Sequence, residues 1–176
     1  MTQQETAWSN LRPLLIDELK VLRRRGLRRL SESVDDYIVL VEVATKLTDE
    51  EPVGAVEALL RQARSQLQDS PAGQAVGYLF GLEPGLRGRT PTDLRRLASD
   101  RLGYAQVETF RKKPENDAIT ALADTIYSLV VQARMLSRNN GSSLERVEAI
   151  VGAIENLTTL ELAELARRLK VTLFVP

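Results

Sequence analysis

Apolar residues recur at three- and four-residue intervals along most of the chain, the spacing with which a helix buries one face. The residues that show this spacing in the first predicted helix, residues 5–24, are Leu11, Leu14, Leu15, Leu19 and Leu22. Residues 34–47 form a more continuous apolar run rich in β-branched side chains, which is typical of a strand as well as of a buried helix. The length of the run and its polar flanks favour the helix, so we expect an all-α protein.

Capping and turn signals divide the rest of the chain. Proline at a first helical position follows Ser70 and Thr90, and Thr48 with Glu51 has the spacing of a capping box. Two stretches rich in Gly, Pro, Asn or Ser mark breaks, "GLEPGLRG" and "SRNNGSS". The helices predicted after residue 47 are 48–67, 71–80, 91–102, 105–112, 115–137, 142–157 and 158–170.

Together these elements predict an all-α, multi-helix bundle of about eight helices with an embedded corner like a helix-turn-helix at residues 89–113. The "SRNNGSS" stretch is expected to be a linker or a tight turn. It would separate a helical regulatory or docking domain, residues 1–137, from a C-terminal helical hairpin and tail, residues 142–176.

The composition removes most catalytic chemistry, because the 176 residues include neither Cys nor His. Thiolate nucleophiles, Cys/His zinc sites and imidazole acid–base catalysis are therefore excluded. The acidic runs Asp35–Asp36 and Asp49–Glu51 lie at predicted helix starts, where carboxylates favour the helix dipole. The glycines at 81–88 lack the Lys-Ser/Thr of a phosphate-binding loop. We predict a protein that is not an enzyme and needs no cofactor or metal.

The sequence also gives an expectation for location. A basic and then apolar leader is missing from the N-terminus, and every apolar run is far shorter than the ~18 residues of a membrane span. We therefore expect a cytoplasmic protein that does not enter a membrane.

The formal net charge of zero conceals an uneven distribution. Residues 1–86 carry 10 basic and 13 acidic side chains, residues 87–113 carry 8 and 3, and residues 114–176 carry 6 and 8. We call residues 87–113 the basic corner. A second group, the N-terminal arginine cluster, consists of Arg23, Arg24, Arg25, Arg28 and Arg29.

The basic corner has the layout of a helix-turn-helix: an Arg-rich helix, Gly103 at a short turn, and a second helix with "VETFRKK". If it reads DNA, the side chains directed toward the groove are Glu108, Thr109, Arg111 and Lys112. The side chains expected at phosphates are Arg95, Arg96, Arg101 and Lys113. The same residue types suit any sharp helix corner, and this turn is about one residue longer than the tightest helix-turn-helix.

The N-terminal arginine cluster has two interpretations. Cations near a helix C-terminus interact favourably with the helix dipole, which is a sufficient structural reason for them. Alternatively, the cluster and the basic corner form one surface that tracks phosphates, provided that the fold brings them together.

Five segments of the chain carry a resemblance to a known family: Asp17 to Leu30, Leu79 to Leu82, Arg95 to Gly103, Glu108 to Lys112, and Leu122 to Asp124. Together they resemble a helical module that recurs in actinobacterial regulatory and signalling proteins. The resemblance covers about residues 10–130. It implies a helix-turn-helix-like regulatory or docking domain of a bacterial protein, and it carries over neither a ligand nor a catalytic activity.

A second pattern near the C-terminus consists of Thr159, Leu160, Leu165, Ala166, Leu169 and Val171. It is similar to the closing helices of lambda-repressor-like DNA-binding domains. The preceding "MLSRNNGSS" lacks the second helix of such domains, so a capped helical hairpin is the alternative. The strand-like apolar tail, residues 171–176, would seek a partner strand, and for this reason we expect a homodimer.

Two functions of different class remain. The first is a DNA-binding transcriptional regulator of the helix-turn-helix type that uses the basic corner. The second is an adaptor or docking module that holds another protein in a bacterial signalling or defence system.

Overall fold

The fold was examined in a computed structural model that describes the backbone of residues 10–155 and the side chains of residues 10–136. Within that part of the chain all regular structure is helical and no strand forms, so the predicted all-α class is confirmed. The α-helices there are α1 (Leu11–Arg25), α2 (Ile38–Thr48), α3 (Pro52–Leu67), α4 (Pro71–Leu79), α5 (Pro91–Arg101), α6 (Val107–Lys112) and α7 (Pro114–Glu155). Two 3₁₀ segments, Leu27–Glu32 and Val34–Asp36, connect α1 to α2.

Two of the predicted helix starts are confirmed at the level of single hydrogen bonds. The Ser70 hydroxyl accepts from the backbone N–H of Gly73 at 3.0 Å, and α4 begins with proline. The Thr90 hydroxyl accepts from the N–H of Asp93 at 3.2 Å, and α5 also begins with proline. These bonds satisfy donors that would otherwise be unpaired in the first turn of each helix.

The capping box predicted at Thr48 and Glu51 is wrong. Thr48 is the last residue of α2, and its hydroxyl donates to the carbonyl of Ala44 at 2.9 Å. Asp49 ends α2 in a left-handed conformation with φ of 55°. Helix α3 then starts at Pro52 without a side-chain cap, so the threonine belongs to the preceding helix.

The turn predicted at "SRNNGSS" is also wrong, since α7 passes through that stretch from Pro114 to Glu155. Asn, Gly and Ser weaken a helix by less than about 1 kcal/mol each relative to Ala, and a helix already formed tolerates them. The chain divides into two compact units between Ala133 and Arg134, which lies within α7. The predicted final helix and the apolar tail fall outside the described residues.

The first compact unit has one continuous apolar core. Helix α2 packs along α3, α4 packs against α3 and α5, and α1 contacts α2 and α5. The largest fully buried side chains in this core are Tyr37, Phe110, Leu15, Leu19, Leu22, Leu30, Leu40, Leu59, Leu60, Leu79, Ile119 and Leu122. Phe110 belongs to the basic corner, so the corner is part of the core and not an appendage.

Gly26 brings the end of α1 against the start of α5. Its N–H closes α1 by donating to the carbonyl of Leu22 at 2.7 Å, and its φ of +84° is one that glycine adopts without strain. A Cβ at this position would lie 3.1 Å from Cγ of Pro91. The N-terminal arginine cluster therefore lies beside the first turn of α5.

We expect Gly73→Ala to destabilise the protein by about 1–3 kcal/mol, the usual cost of overpacking. A Cβ on Gly73 would lie 2.4 Å from the backbone carbonyl oxygen of Gln68, which cannot rotate away as a side chain would. Urea unfolding monitored by circular dichroism measures the loss. Gly88→Ala is the matched control, since a Cβ there meets nothing within 4 Å. Equal stability of the two variants would show that the backbone of the α3–α4 turn shifts at little cost to accommodate the added methyl group.

Candidate nucleic-acid interface

Helices α5 and α6 meet at a turn that is fixed by local hydrogen bonds. The N–H of Tyr104 donates to the carbonyl of Ser99 at 3.0 Å, and the buried Ser99 hydroxyl donates back to the carbonyl of Tyr104 at 3.5 Å. Gly103, which the sequence placed at the turn, has a φ of +76°, a value disfavoured for residues with a Cβ. The two helices of the predicted corner are therefore present and joined by an ordered turn.

Helix α6 is anchored to the core on one side and exposed on the other. The Phe110 side chain is fully buried, and its ring centroid lies 5.5 Å from that of Tyr104. The four side chains predicted to face a DNA groove are all exposed: Glu108, Thr109, Arg111 and Lys112. Exposure makes these groups available to a ligand, and Phe110 fixes the helix that presents them.

The first turn of α7 carries a buried carboxylate that joins the two basic segments. Glu115 Oε2 accepts from Nε of Arg95 at 2.7 Å, and Oε1 accepts from Nη2 of the same guanidinium at 3.2 Å. Nε of Arg23 lies 2.7 Å from Oε1 in an ion pair, although it is not aligned for a hydrogen bond. One arginine of the N-terminal cluster and one of the basic corner thus share a single counter-charge.

This arrangement differs from the prediction that Arg95 contacts phosphate. Its side chain is only 18% exposed, and its guanidinium is held by a bidentate ion pair within the protein. Glu115 was not singled out in the sequence, because an acidic residue directly after Pro114 has the ordinary position of a carboxylate in a first helical turn. Only its burial distinguishes it.

The environment of Glu115 acts on its acidity in two directions. Burial raises the pKa of the Glu115 carboxyl, and the charge and hydrogen bonds of Arg95 oppose that rise. The carboxylate therefore depends on the guanidinium to stay ionised. We interpret the Arg23–Glu115–Arg95 triad as structural, since it holds both guanidinium groups in the interior, where they are not presented to a ligand.

Among residues 10–133, cations without an acidic partner lie only in the two basic segments. Among residues 10–133, every lysine and arginine outside these segments forms an ion pair. Within the segments, Arg25 pairs with Asp36 and Arg87 with Glu57. The remaining exposed cations of this part of the chain, which have no ion pair, are Arg24, Arg28, Arg29, Arg89, Arg96, Arg101 and Lys112. Keeping like charges together without counter-charges is unfavourable unless an anionic ligand offsets the repulsion.

The other candidate residues have weak partners. Arg111 lies 3.7 Å from Glu108 in the same helix, with 61% of its side chain exposed. Lys113 Nζ lies 2.6 Å from Asp117 Oδ2, and this hydrogen bond raises the pKa of the lysine. Exposed pairs of this kind are weakened by solvent screening, so a phosphate can displace them.

A cleft of about 490 Å³ opens beside the same corner, between the start of α4 and the start of α7. Its lining is mainly apolar and includes Leu102, Tyr104 and Phe110, with Lys113 and Asp117 among the polar groups. Its size and lining are typical of a site that receives an apolar group.

Among the residues that the structure describes, no group of three or more acidic side chains converges as a metal site would require. Over the same residues, none of the helices has the length and apolar character needed to cross a membrane.

Comparison of the chain with protein-family models, with curated proteins and with solved structures finds no match.

Proposed function

We propose that the protein is a DNA-binding regulator that contacts duplex DNA through its basic corner. The observation that carries this proposal is the set of exposed, unpaired cations on the two helices of the corner, α5 and α6. Arg96 and Arg101 on α5 and Lys112 on α6 are exposed without an acidic partner, whereas the cations of residues 10–133 that lie outside the basic corner and the N-terminal arginine cluster are all paired. Uncompensated cations bind backbone phosphates by releasing condensed counterions.

The exposed side of α6 supplies the second half of the proposal. Glu108, Thr109 and Arg111 are side chains of the types that contact base edges: carboxylate to cytosine amine, hydroxyl to several edges, and guanidinium to guanine. Phe110 fixes the helix from beneath, so these groups are presented by a rigid element. In this proposal α6 enters the groove and the flanking cations hold the phosphates.

The proposal predicts a charge-specific loss of binding in the variant Arg96→Gln/Arg101→Gln/Lys112→Gln. Fluorescence anisotropy with a labelled duplex, repeated over a range of salt concentrations, measures it. If each cation contacts one phosphate, the slope of log K against log salt should become shallower by about 0.9 per residue, or 2–3 in all. Binding at low salt should weaken by at least tenfold.

A control variant with the same change in net charge is available. Arg12→Gln/Lys46→Gln/Arg61→Gln removes three exposed cations that already have carboxylate partners. It should bind like the wild type, with the same salt slope. If the wild-type protein does not bind duplex DNA at micromolar concentration and low salt, the proposal is wrong. Equal losses of DNA affinity in the two variants would mean that binding depends on the net charge of the protein and not on the basic corner.

The cleft beside the corner favours a second candidate, an adaptor that docks another protein. Its partner would insert an apolar side chain against Leu102 and Tyr104. The two functions separate in one comparison. Capture of a protein partner that survives Arg111→Ala and Lys112→Ala but fails when Ala72, at the cleft lining, becomes Lys would favour the adaptor.

A further inference from the structure

We infer that the N-terminal arginine cluster is a second phosphate-binding element for the same DNA duplex, acting through Arg24, Arg28 and Arg29. This inference rests on the proposed DNA-binding function and extends it to a segment far from the basic corner in the sequence. Its physical basis is the position, the charge and the missing counter-charges of these three side chains.

The fold places the two basic segments side by side. Gly26, within the cluster, abuts Pro91 at the first turn of α5, and a Cβ on Gly26 would lie 3.1 Å from the proline ring. Arg23 and Arg95 converge on Glu115 from the two segments. Arg96 lies about 7 Å along α5 from Pro91 at 1.5 Å per residue, so the cluster and the corner are neighbours.

Within the cluster, the structure separates arginines with internal partners from those without. Arg23 pairs with Glu115 and Arg25 with Asp36. Arg24, Arg28 and Arg29 are exposed, and none of them has an ion pair among the described residues. The triad holds the inward arginine of each segment on one buried carboxylate, which leaves the exposed, unpaired cations for a ligand.

The helix dipole does not account for all three residues. Arg24 lies in the last turn of α1, where a cation is favourable. Arg28 and Arg29 lie beyond the end of α1, in the short 3₁₀ segment that follows Gly26. The dipole effect falls off within the last turn, so these two arginines gain little from α1.

Duplex DNA is a polyanion whose phosphates can be contacted by cations from two neighbouring segments. It carries one negative charge per ~1.7 Å of its axis, so a surface that spans both segments meets several phosphates at once. In this arrangement the basic corner supplies the helix in the groove and the N-terminal cluster holds the backbone beside it. The cluster then adds affinity without sequence preference.

The test compares the variant Arg24→Gln/Arg28→Gln/Arg29→Gln with Arg12→Gln/Lys46→Gln/Arg61→Gln, using the full chain and a labelled random-sequence duplex. Arg12 lies at the opposite end of α1, about 20 Å of helix away from Arg25. In the cluster variant, the slope of log K against log salt should be shallower than in the wild type by about 2–3. The ratio of wild-type affinity to variant affinity should therefore fall about 40-fold between 50 and 200 mM salt. The control variant should match the wild type in both measurements.

A conservative variant guards against a folding defect. Arg24→Lys/Arg28→Lys/Arg29→Lys keeps three cations that can contact phosphate as point charges, so it should retain the wild-type salt slope. All variants should keep the wild-type thermal midpoint, since these side chains are exposed.

The outcomes distinguish this inference from the function on which it rests. If the cluster variant binds like the control while Arg96→Gln/Arg101→Gln/Lys112→Gln loses binding, the inference is overturned and DNA binding by the corner stands. If the wild type does not bind the duplex, both fail. Loss of slope in the cluster variant, with rescue by the lysines, establishes the second element.

Discussion

Replacing Glu115 by Gln should lower the free energy of unfolding by about 3–5 kcal/mol, the typical cost of removing one partner from a buried ionic group. The side chain of Glu115 is 4% exposed, and those of Arg23 and Arg95 are 10% and 18% exposed. Glutamine has nearly the same shape and can still accept a hydrogen bond. It lacks the charge, so two largely buried guanidinium groups would face each other without a counter-charge.

Urea unfolding followed by circular dichroism measures this loss, and Asp117→Asn is the matched control. Asp117 lies two residues along α7 from Glu115 and pairs with Lys113, but that pair is exposed. Its loss should change the urea midpoint far less than the loss of Glu115, because solvent screens an exposed pair. A similar small loss for Glu115→Gln would mean that water reaches the triad and screens its charges.

The triad also predicts a result in the opposite direction. Arg23→Met/Arg95→Met/Glu115→Leu removes all three charges together and fills their space with apolar atoms. Such exchanges are often neutral or stabilising by about 1–4 kcal/mol, because the desolvation penalty disappears with the charges. The variant should also keep its affinity for DNA if the triad is structural. A loss of affinity at unchanged stability would show that Arg23 or Arg95 reaches the ligand.

The second large effect is expected at Phe110. Phe110→Ala should cost about 3–5 kcal/mol, since it opens a cavity where a fully buried ring packs against Tyr104. Phe110→Leu keeps most of the apolar volume and should cost about half as much or less. Thr109→Ala, at the exposed neighbour, should change stability by no more than about 0.5 kcal/mol.

Hydrogen exchange adds a check on how α6 is held. If α6 is part of the global cooperative unit, Phe110→Ala reduces protection throughout the core. If only residues 107–112 lose protection while urea unfolding is unchanged, α6 opens by itself and the core does not depend on it. That second result would contradict the role of Phe110 as an anchor of the corner.

Local sequence signals account for most of the helices. The apolar spacing of α1 and the caps at Ser70 and Thr90 act within a few residues, so they can be recognised in the sequence before the fold is known. The same signals failed at Thr48, where two helices compete for one residue, and at "SRNNGSS", where a formed helix continued through poor helix formers. In both places the wrong prediction came from a local preference worth about 1 kcal/mol or less.

The candidate surface could be predicted in part. The excess of basic residues at 87–113 and the exposed positions of Glu108 and Thr109 follow from charge and helical period. The internal partner of Arg95 could not be predicted, since Glu115 lies in another helix. The charge of a side chain can be read from the sequence, but whether that charge is already neutralised cannot.

The helical class, the turn at Gly103 and the two basic segments can be predicted from the sequence, because they depend on residues close together in the chain. The contact of Gly26 with Pro91 and the sharing of Glu115 by Arg23 and Arg95 join residues that are far apart in the chain. They could not be predicted, because ion pairing depends on distance and burial, which are set by the packing of α1, α5 and α7. The same packing leaves the other arginines of both segments exposed on neighbouring parts of the molecule.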